Sequence, residues 1–360
     1  MYEIENQEAA EKIESYSPCY SVQLKNTSTD DIYAGNSIFS VNSDLQSASQ
    51  DDIELGAVCS QSWKVRLNGT DNFLGQEYKL GIYLKEFSSE LIPMGTFTCV
   101  KCRKSGGSTE LTGADKLYFS DRPYTLSENI KLPASSQDIE DDICAQLGVE
   151  NGNNYYASLK LSDCAEKRLF DSNGLRIKTA NFDFKISSIP EKATMRQMLS
   201  YIASAQGQFG FVDRFGRYVR KWYRNPVKTI DDNTVDIPTI SEKANRIVGI
   251  VCKANNNTYS DGDITGETGR VINFQNPFMT ESLFKTIYHR LVLASDFEWY
   301  TAEIKQRLGD PRFDIGDVIN YSADSGRTYL VPVMNLSFSF DGGLSADISA
   351  VGLSPEEEML

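Results

Sequence analysis

The chain has 360 residues, 40% of them hydrophobic and 11% aromatic, enough to pack two or three domains of roughly 150 residues each. Its net charge of −14 and pI of about 4.7 oppose nucleic-acid binding, which draws its affinity from Lys and Arg on phosphates, so no sequence-specific nucleic-acid partner is expected. No apolar run reaches the roughly 18 residues that span a bilayer. The opening MYEIENQEAAEKIESYS lacks the apolar stretch of a secretory signal, so the expectation is a soluble chain without a membrane anchor, assembled in a cytoplasm.

The first 125 residues alternate in short segments with strand character: CYSVQLKN, DIYAGNSIFSV, SQSWKVRLNG, YKLGIYLKEF and GTFTCVKCRK. Gly, Asn and Ser turns separate them, which points to a sandwich or small barrel. SGGST at 105–109 predicts a hairpin turn, because paired glycines reach positive φ without steric cost. The middle of the chain changes period. LPASSQDIEDDICAQLGV predicts a helix with Ser135 as N-cap, Ile139, Ile143 and Leu147 as its apolar stripe, acids in the early turns and Gly148 as the stop. ATMRQMLSYIASAQGQ predicts a second, with Thr194 and Gln197 as a capping box, Met195, Met198, Leu199 and Ile202 as a core-facing stripe, and Gly207 at the end. FGFVDRFGRYVRKWY follows as a hairpin with Gly216 at its bulge.

From about 226 the strand pattern resumes in RIVGIVCKANN, GRVINFQN, EWYTAEIKQRLG, GDVINY and RTYLVPVMNLSFSFDGGLSADISAVG. A helix opening at Thr280 interrupts it, with Leu283, Phe284, Ile287, Tyr288 and Leu291 on its apolar face, and KANNNTYSDGDITGETG reads as a long polar loop. CRKSGGSTELTGAD and SFSFDGGLSADISAVG echo one another as strand, Gly-Gly turn and small-residue strand, a weak sign of duplication. The predicted class is mainly β with α/β insertions. A first β-barrel-like domain spans 1–125, a middle α/β region 126–225, and a second β-barrel-like domain 226–360 with a helix inserted near 280–292.

Chemistry-bearing patterns are sparse. His289, the one histidine, falls inside the apolar period of the 280–291 helix, and the sequence holds no G-x-S-x-G, Walker or H-E-x-x-H motif. Of the seven cysteines, Cys99 and Cys102 alone have C-x-x-C spacing, with no second such pair to complete a zinc site. On a strand, residues three apart face opposite sides, so these two thiols should diverge and the cysteines stay reduced and unpaired. The basic cluster Arg214, Arg217, Arg220, Lys221 and Arg224 sits on a hairpin arm, where a solvated or interface strand is expected. LGDPRFDIGDVINY carries Asp310, Asp314 and Asp317 without the spacing of a calcium loop; Pro311 and Gly316 make it turn chemistry between two strands. No catalytic, metal or cofactor residue is assigned, and the chain is not expected to be an enzyme.

These residues also carry a family resemblance. GDPRFDIGDVI followed by GRTYLVPVMNLSFSFDGGLSADISAVG resembles the C-terminal part of phage tail hub, or baseplate hub, proteins of siphophages, myophages and prophage tail machines. DIELGAVCSQSWKVRL, LIPMGTFTCVKC, LTGADKLYFSDRPYT, the two helix segments, the hairpin and FQNPFMTESLF resemble other parts of that family in the same order, from about 20 to 353. The family motif maps onto Gly309, Asp310, Pro311, Gly316 and Asp317, and onto Asn276, Pro277 and Phe278. The resemblance implies two similar small β-barrels per chain and a homotrimer whose six barrels imitate sixfold symmetry. Such a ring would join a hexameric tail tube or distal tail protein to a threefold tip and line part of the DNA ejection channel. Implied partners are the tape measure protein and tail tip, spike or receptor-binding proteins, and the implied location is the virion tail tip or baseplate. Many relatives continue into a cell-wall hydrolase or fibre, whereas this sequence stops at VGLSPEEEML, so no lytic activity is expected. The rival classes are a tail-carried glycosidase or peptidase, resting on the surplus of carboxylates, and a carbohydrate-binding module using Trp63, Trp222 or Trp299, which strand alternation places in the core instead. Net charge further predicts an acidic wall for the bore.

Overall fold

A computed structural model describes residues 1–15, 18–48, 52–69, 71–153, 181–223, 226–236, 238–293, 295 and 297–352. Cys164 and Arg224 lie outside the described residues. The chain opens with helix α1 (Gln7–Glu14), capped by the Asn6 side chain on Ala9 N–H and burying Ala9 and Ile13. Seven strands follow: β1 (Tyr20–Asn26), β2 (Ile32–Ala34), β3 (Ile38–Gln46), β4 (Ser62–Asn68), β5 (Glu77–Leu84), β6 (Ile92–Ser105) and β7 (Ser108–Ala114). β4 shows the alternation that identifies a half-buried strand: Trp63, Val65 and Leu67 point inward and the residues between them outward. The β6–β7 turn has Gly106 and Gly107 at φ +54° and +81°, the left-handed pair that the SGGST segment predicts.

Helix α2 (Ser136–Leu147) starts where the Ser135 hydroxyl accepts from Asp138 N–H at 2.9 Å and ends at left-handed Gly148. Helix α3 (Met195–Ala205) has the expected capping box, with Gln197 N–H on the Thr194 hydroxyl and Thr194 N–H on the Gln197 side chain. Their facing stripes, Ile139, Ile143 and Leu147 on one and Met195, Met198, Leu199 and Ile202 on the other, form a core of their own with Tyr218 and Val212 of the following hairpin. Each such side chain contributes about 1.5–3 kcal/mol when fully buried. The hairpin pairs Phe209–Val212 with Arg217–Lys221. Helix α4 (Glu281–Tyr288) opens at Thr280 as expected but gives way at His289 to a wider π-helical turn through Leu293.

The chain is mainly β, and its largest sheet has eleven strands in the order Thr239–Ile240, Ala302–Gln306, Leu344–Ala350, Asn335–Phe340, β3, β4, β7, β6, β5, β1, β2. The barrel-like closure expected of each β region does not form among the described residues. β3 pairs with β4 on one side and with Asn335–Phe340 on the other, so the edge that would close the first region on itself is taken by the second. The two echoing hairpins, β6–β7 and 335–350, flank this β3–β4 pair on opposite sides. A second sheet element pairs Lys228–Asp231, Val318–Ser322 and Thr328–Pro332.

Two further expectations are corrected. The segment read as a polar loop contains a strand, Asn257–Gly262, paired with Asn245–Ala254 through a two-residue turn at Asn255, whose φ is +47°. Its side chains are mostly exposed, so no hydrophobic alternation marks it. Cys99 and Cys102 do not diverge. An irregularity in β6 sets Cys99 opposite Gly113 and Cys102 opposite Leu111, two residues apart on β7 and therefore on one face. Cys99 is buried and held by desolvation up to about 11, with the neighbouring Cys102 adding to the rise. The six described cysteines are free thiols. Among the described residues no helix is long and apolar enough to cross a membrane.

Candidate functional site

The structure gathers charge where the 308–321 segment meets the hairpin and the N-terminal helix. Gly309 lets this segment approach the 344–350 strand: its N–H donates to Leu344 O at 2.8 Å, and a Cβ would come within 2.8 Å of the Ser345 backbone. Asp310 then turns inward and is buried. Its carboxylate accepts from Arg312 Nε and Nη2 at 2.9 and 2.8 Å and from Lys228 Nζ at 2.8 Å. Glu14 of α1 reaches the same guanidinium at 3.1 Å from the solvent side. Burial pushes the Asp310 carboxyl up, but the bonds to Arg312 and the charge of Lys228 outweigh it and hold it below the ordinary carboxylate value.

Asp314 and Asp317 perform the turn chemistry expected of them and more. Asp317 accepts from Asp314 N–H at 2.9 Å, and Gly316 takes φ +77° with its N–H on Val333 O. Asp317 also meets the Met1 amino group at 2.7 Å. Arg214, at the tip of the hairpin, inserts beside Asp314 (Nε–Oδ2 3.6 Å) and donates to the carbonyls of Pro311, Arg312 and Phe313 at 3.1, 3.2 and 2.8 Å. A fourth bond, to Pro93 O of β6, ties in the first β region. Burial raises Asp314, and the Lys221 and Arg214 charges bring it below its usual value. The result is a polar bolt through strands of both β regions, the hairpin and α1.

The hairpin sends Arg220 the other way. Arg220 donates through Nε and Nη2 to Glu140 of α2 at 2.6 and 3.2 Å and through Nη1 to Gln208 at 2.9 Å, and both charged side chains are 0% exposed. The expectation of a solvated or interface strand therefore fails for Arg214 and Arg220, which are buried; Arg217 pairs at the partly open edge with Asp213 at 2.7 Å. Glu140, placed by the sequence among acids favoured by the helix dipole, is instead a core residue. No periodicity marks these partners, because each lies on a different element and only tertiary contact pairs them. Another buried acid, Asp115, accepts from Gln61 N–H, the Ser60 hydroxyl and Leu117 N–H at 2.8, 2.8 and 2.9 Å. Burial pushes it up to about 6 despite these bonds.

The remaining motif residues serve another joint. Asn276 is fully buried and donates to Tyr201 O and Ser204 Oγ of α3 at 2.7 and 3.0 Å, while its Oδ1 accepts from Phe278 N–H. Pro277 O accepts from Asn255, and the Phe278 ring meets Tyr201 edge-on at 5.6 Å. Asn276–Phe278 thus docks the second β region on α3. Trp63, Trp222 and Trp299 are all buried, Trp299 donating its Nε1–H to Val351 O. Among the described residues no group of three or more His, Cys, Asp or Glu is arranged to hold a metal ion.

No known family's sequence profile matches the chain, and no curated protein matches it in sequence. Solved structures do match. A tail protein from Neisseria meningitidis MC58 superposes with a TM-score of 0.58 at 16% identity, covering 92% of this chain and 95% of that one. The 43 kDa tail protein of prophage MuSo2 from Shewanella oneidensis gives 0.54 at 14% identity, covering 94% and 99%. The likeness runs nearly end to end in all three chains, so the protein has the fold of these tail proteins.

Proposed function

We propose that this chain is a structural hub adaptor of a phage-type tail: a homotrimer that joins a hexameric tube or distal ring to a threefold tip and lines part of the DNA path. The observation that carries this reading is the end-to-end likeness to two tail proteins. Physically, a hub must transmit load without its parts shearing. The Arg214 and Asp310 contacts, which tie both β regions to the hairpin through buried charge, suit that task. Closed cyclic oligomers are the usual form of such rings.

In this reading the tape measure and tip or spike proteins are the axial partners, and the chain performs no chemistry of its own. The acidic balance supports a bore that repels DNA and lets it slide. Mass photometry of the full chain, alone and mixed with the tube protein of its own tail, tests the proposal. A species near 120 kDa, three copies of the 40.3 kDa chain, is expected in at least one condition. A monomer in both, or clearing of purified peptidoglycan by the chain alone, would refute it.

A further inference from the structure

A cavity of about 630 Å³ opens between the second sheet and the edge of the large one, away from the ionic junction. We infer that it is a binding site for a neutral, hydroxyl-rich saccharide. This goes beyond the hub reading and does not depend on it.

One wall is aromatic, built on the half-buried Tyr329 and the buried Tyr321. Tyr321 and Tyr329 are register partners on adjacent strands, with ring centroids 6.1 Å apart and planes inclined by 31°. Pro238 and Ile240 also line the opening. The Tyr321 hydroxyl donates to Asp232, and Asp232 also accepts from Asp324 N–H at 2.6 Å, so this floor is locked before any ligand arrives. The rim supplies polar groups of the kind that read hydroxyls. Asp236 and Arg307 form an ion pair, while the Asp324 carboxylate and Asn233 amide are exposed and held by no other side chain among the described residues. Ligand sites of about 300–1,000 Å³ with apolar walls and a few convergent polar groups suit small molecules, here a saccharide of about two or three rings.

Charge chooses among ligands. Three lining aspartates against one lining arginine disfavour anionic sugars and phosphates. A cationic side chain is disfavoured too. Asp236 is already answered by Arg307 and Asp232 by two donors, and Arg327, over the Tyr329 and Tyr300 rings at 4.8 and 5.5 Å, adds positive charge close to the site. What remains is an acceptor-rich, donor-poor pocket with an apolar face, which fits hydroxyl donors on a neutral ring. The tryptophans proposed from sequence for this role are in the core, so the aromatic surface is a tyrosine one that the sequence alone does not single out.

The test is saturation-transfer NMR and calorimetry on the full chain with maltotriose, cellotriose and chitotriose, with sialyllactose and pentalysine as charged controls. At least one neutral trisaccharide should bind with a Kd of about 1 mM or tighter. Tyr329→Ala and the exposed-rim variant Asp324→Ala should each weaken that binding by about tenfold, a difference of one logarithmic step in affinity. Asp324→Ala, far from any core contact, keeps the test valid should Tyr329→Ala disturb the sheet. The inference is overturned by no transfer from any of the three at about 10 mM, by binding that survives both substitutions unchanged, or by pentalysine or sialyllactose binding in place of the neutral sugars.

Discussion

Two arginines of one hairpin, six residues apart, are buried by different means. Arg220 is sealed with Glu140 beneath α2, and neither side chain reaches solvent. Arg214 and its neighbours Arg312 and Lys228 form an open junction, where Glu14, 56% exposed, closes the charge network against water. If one member of the sealed pair is lost, the other keeps neutral amide partners, Asn151 and Asn153 for Glu140 and Gln208 for Arg220, whereas the open junction can recruit water. The sealed site should therefore fail abruptly and the open one by degrees.

Arg220→Ala breaks the sealed side most severely. It leaves Glu140 buried and deprived of its main partner, and denaturant unfolding should show a loss of about 3–5 kcal/mol. A loss under about 1 kcal/mol would mean that water enters this core and that the contrast is false. On the open side, Asp310→Asn should cost less, about 2 kcal/mol, since Glu14 and solvent still serve Arg312. A double-mutant cycle with Glu14→Gln would show how much of the remainder Glu14 supplies. Gly316→Ala tests packing where the junction meets the hairpin. A Cβ there would stand 2.7 Å from the Phe209 ring on a backbone at φ +77°, so a loss of about 1–3 kcal/mol is expected.

Proton linkage sharpens the comparison. Asp310 and Asp314 are held below their ordinary value of 3.8, so the unfolded chain takes up protons first on acidification. Their stabilisation is present above about pH 4 and is lost as pH falls through their lowered values. Asp115 has the opposite sign. Raised to about 6, it favours the folded state below its unfolded value of 3.8, and that contribution is lost as pH rises through about 6. Urea midpoints from pH 3 to 8 should trace both limbs, and Asp115→Asn should flatten the slope between about 4 and 6 while leaving the acid limb in place. The smallest effect is the control. Lys285→Ala removes a helix-surface pair with Glu281 in which both side chains are more than 60% exposed, and the midpoint should not move.

Much of the architecture is legible in local sequence because it rests on neighbours in the chain. Ser135, Thr194 and Thr280 cap helices within three residues of themselves, Gly106 and Gly107 turn a hairpin, and Trp63, Val65 and Leu67 alternate on one strand. Asp310, Asp314 and Asp317 are recognisable as turn residues for the same reason. Their burial and their partners are not recognisable, since Lys228 lies 82 residues from Asp310 and Glu14 lies 298 from Arg312. The C-x-x-C thiols mislead because one irregular residue in β6 reverses the face that follows, and hydrogen-bond register decides that, not composition.

By itself the sequence determined the fold class and the positions of its caps and turns. Short-range sterics and hydrogen bonds act within a few residues and leave a local trace. Only the tertiary structure decided that both β regions share one open sheet through β3 and Asn335–Phe340, and that Arg214 and Arg220 are internal. Strand pairing and ion pairing choose partners by complementarity across the folded chain, so distance along the sequence carries no record of them.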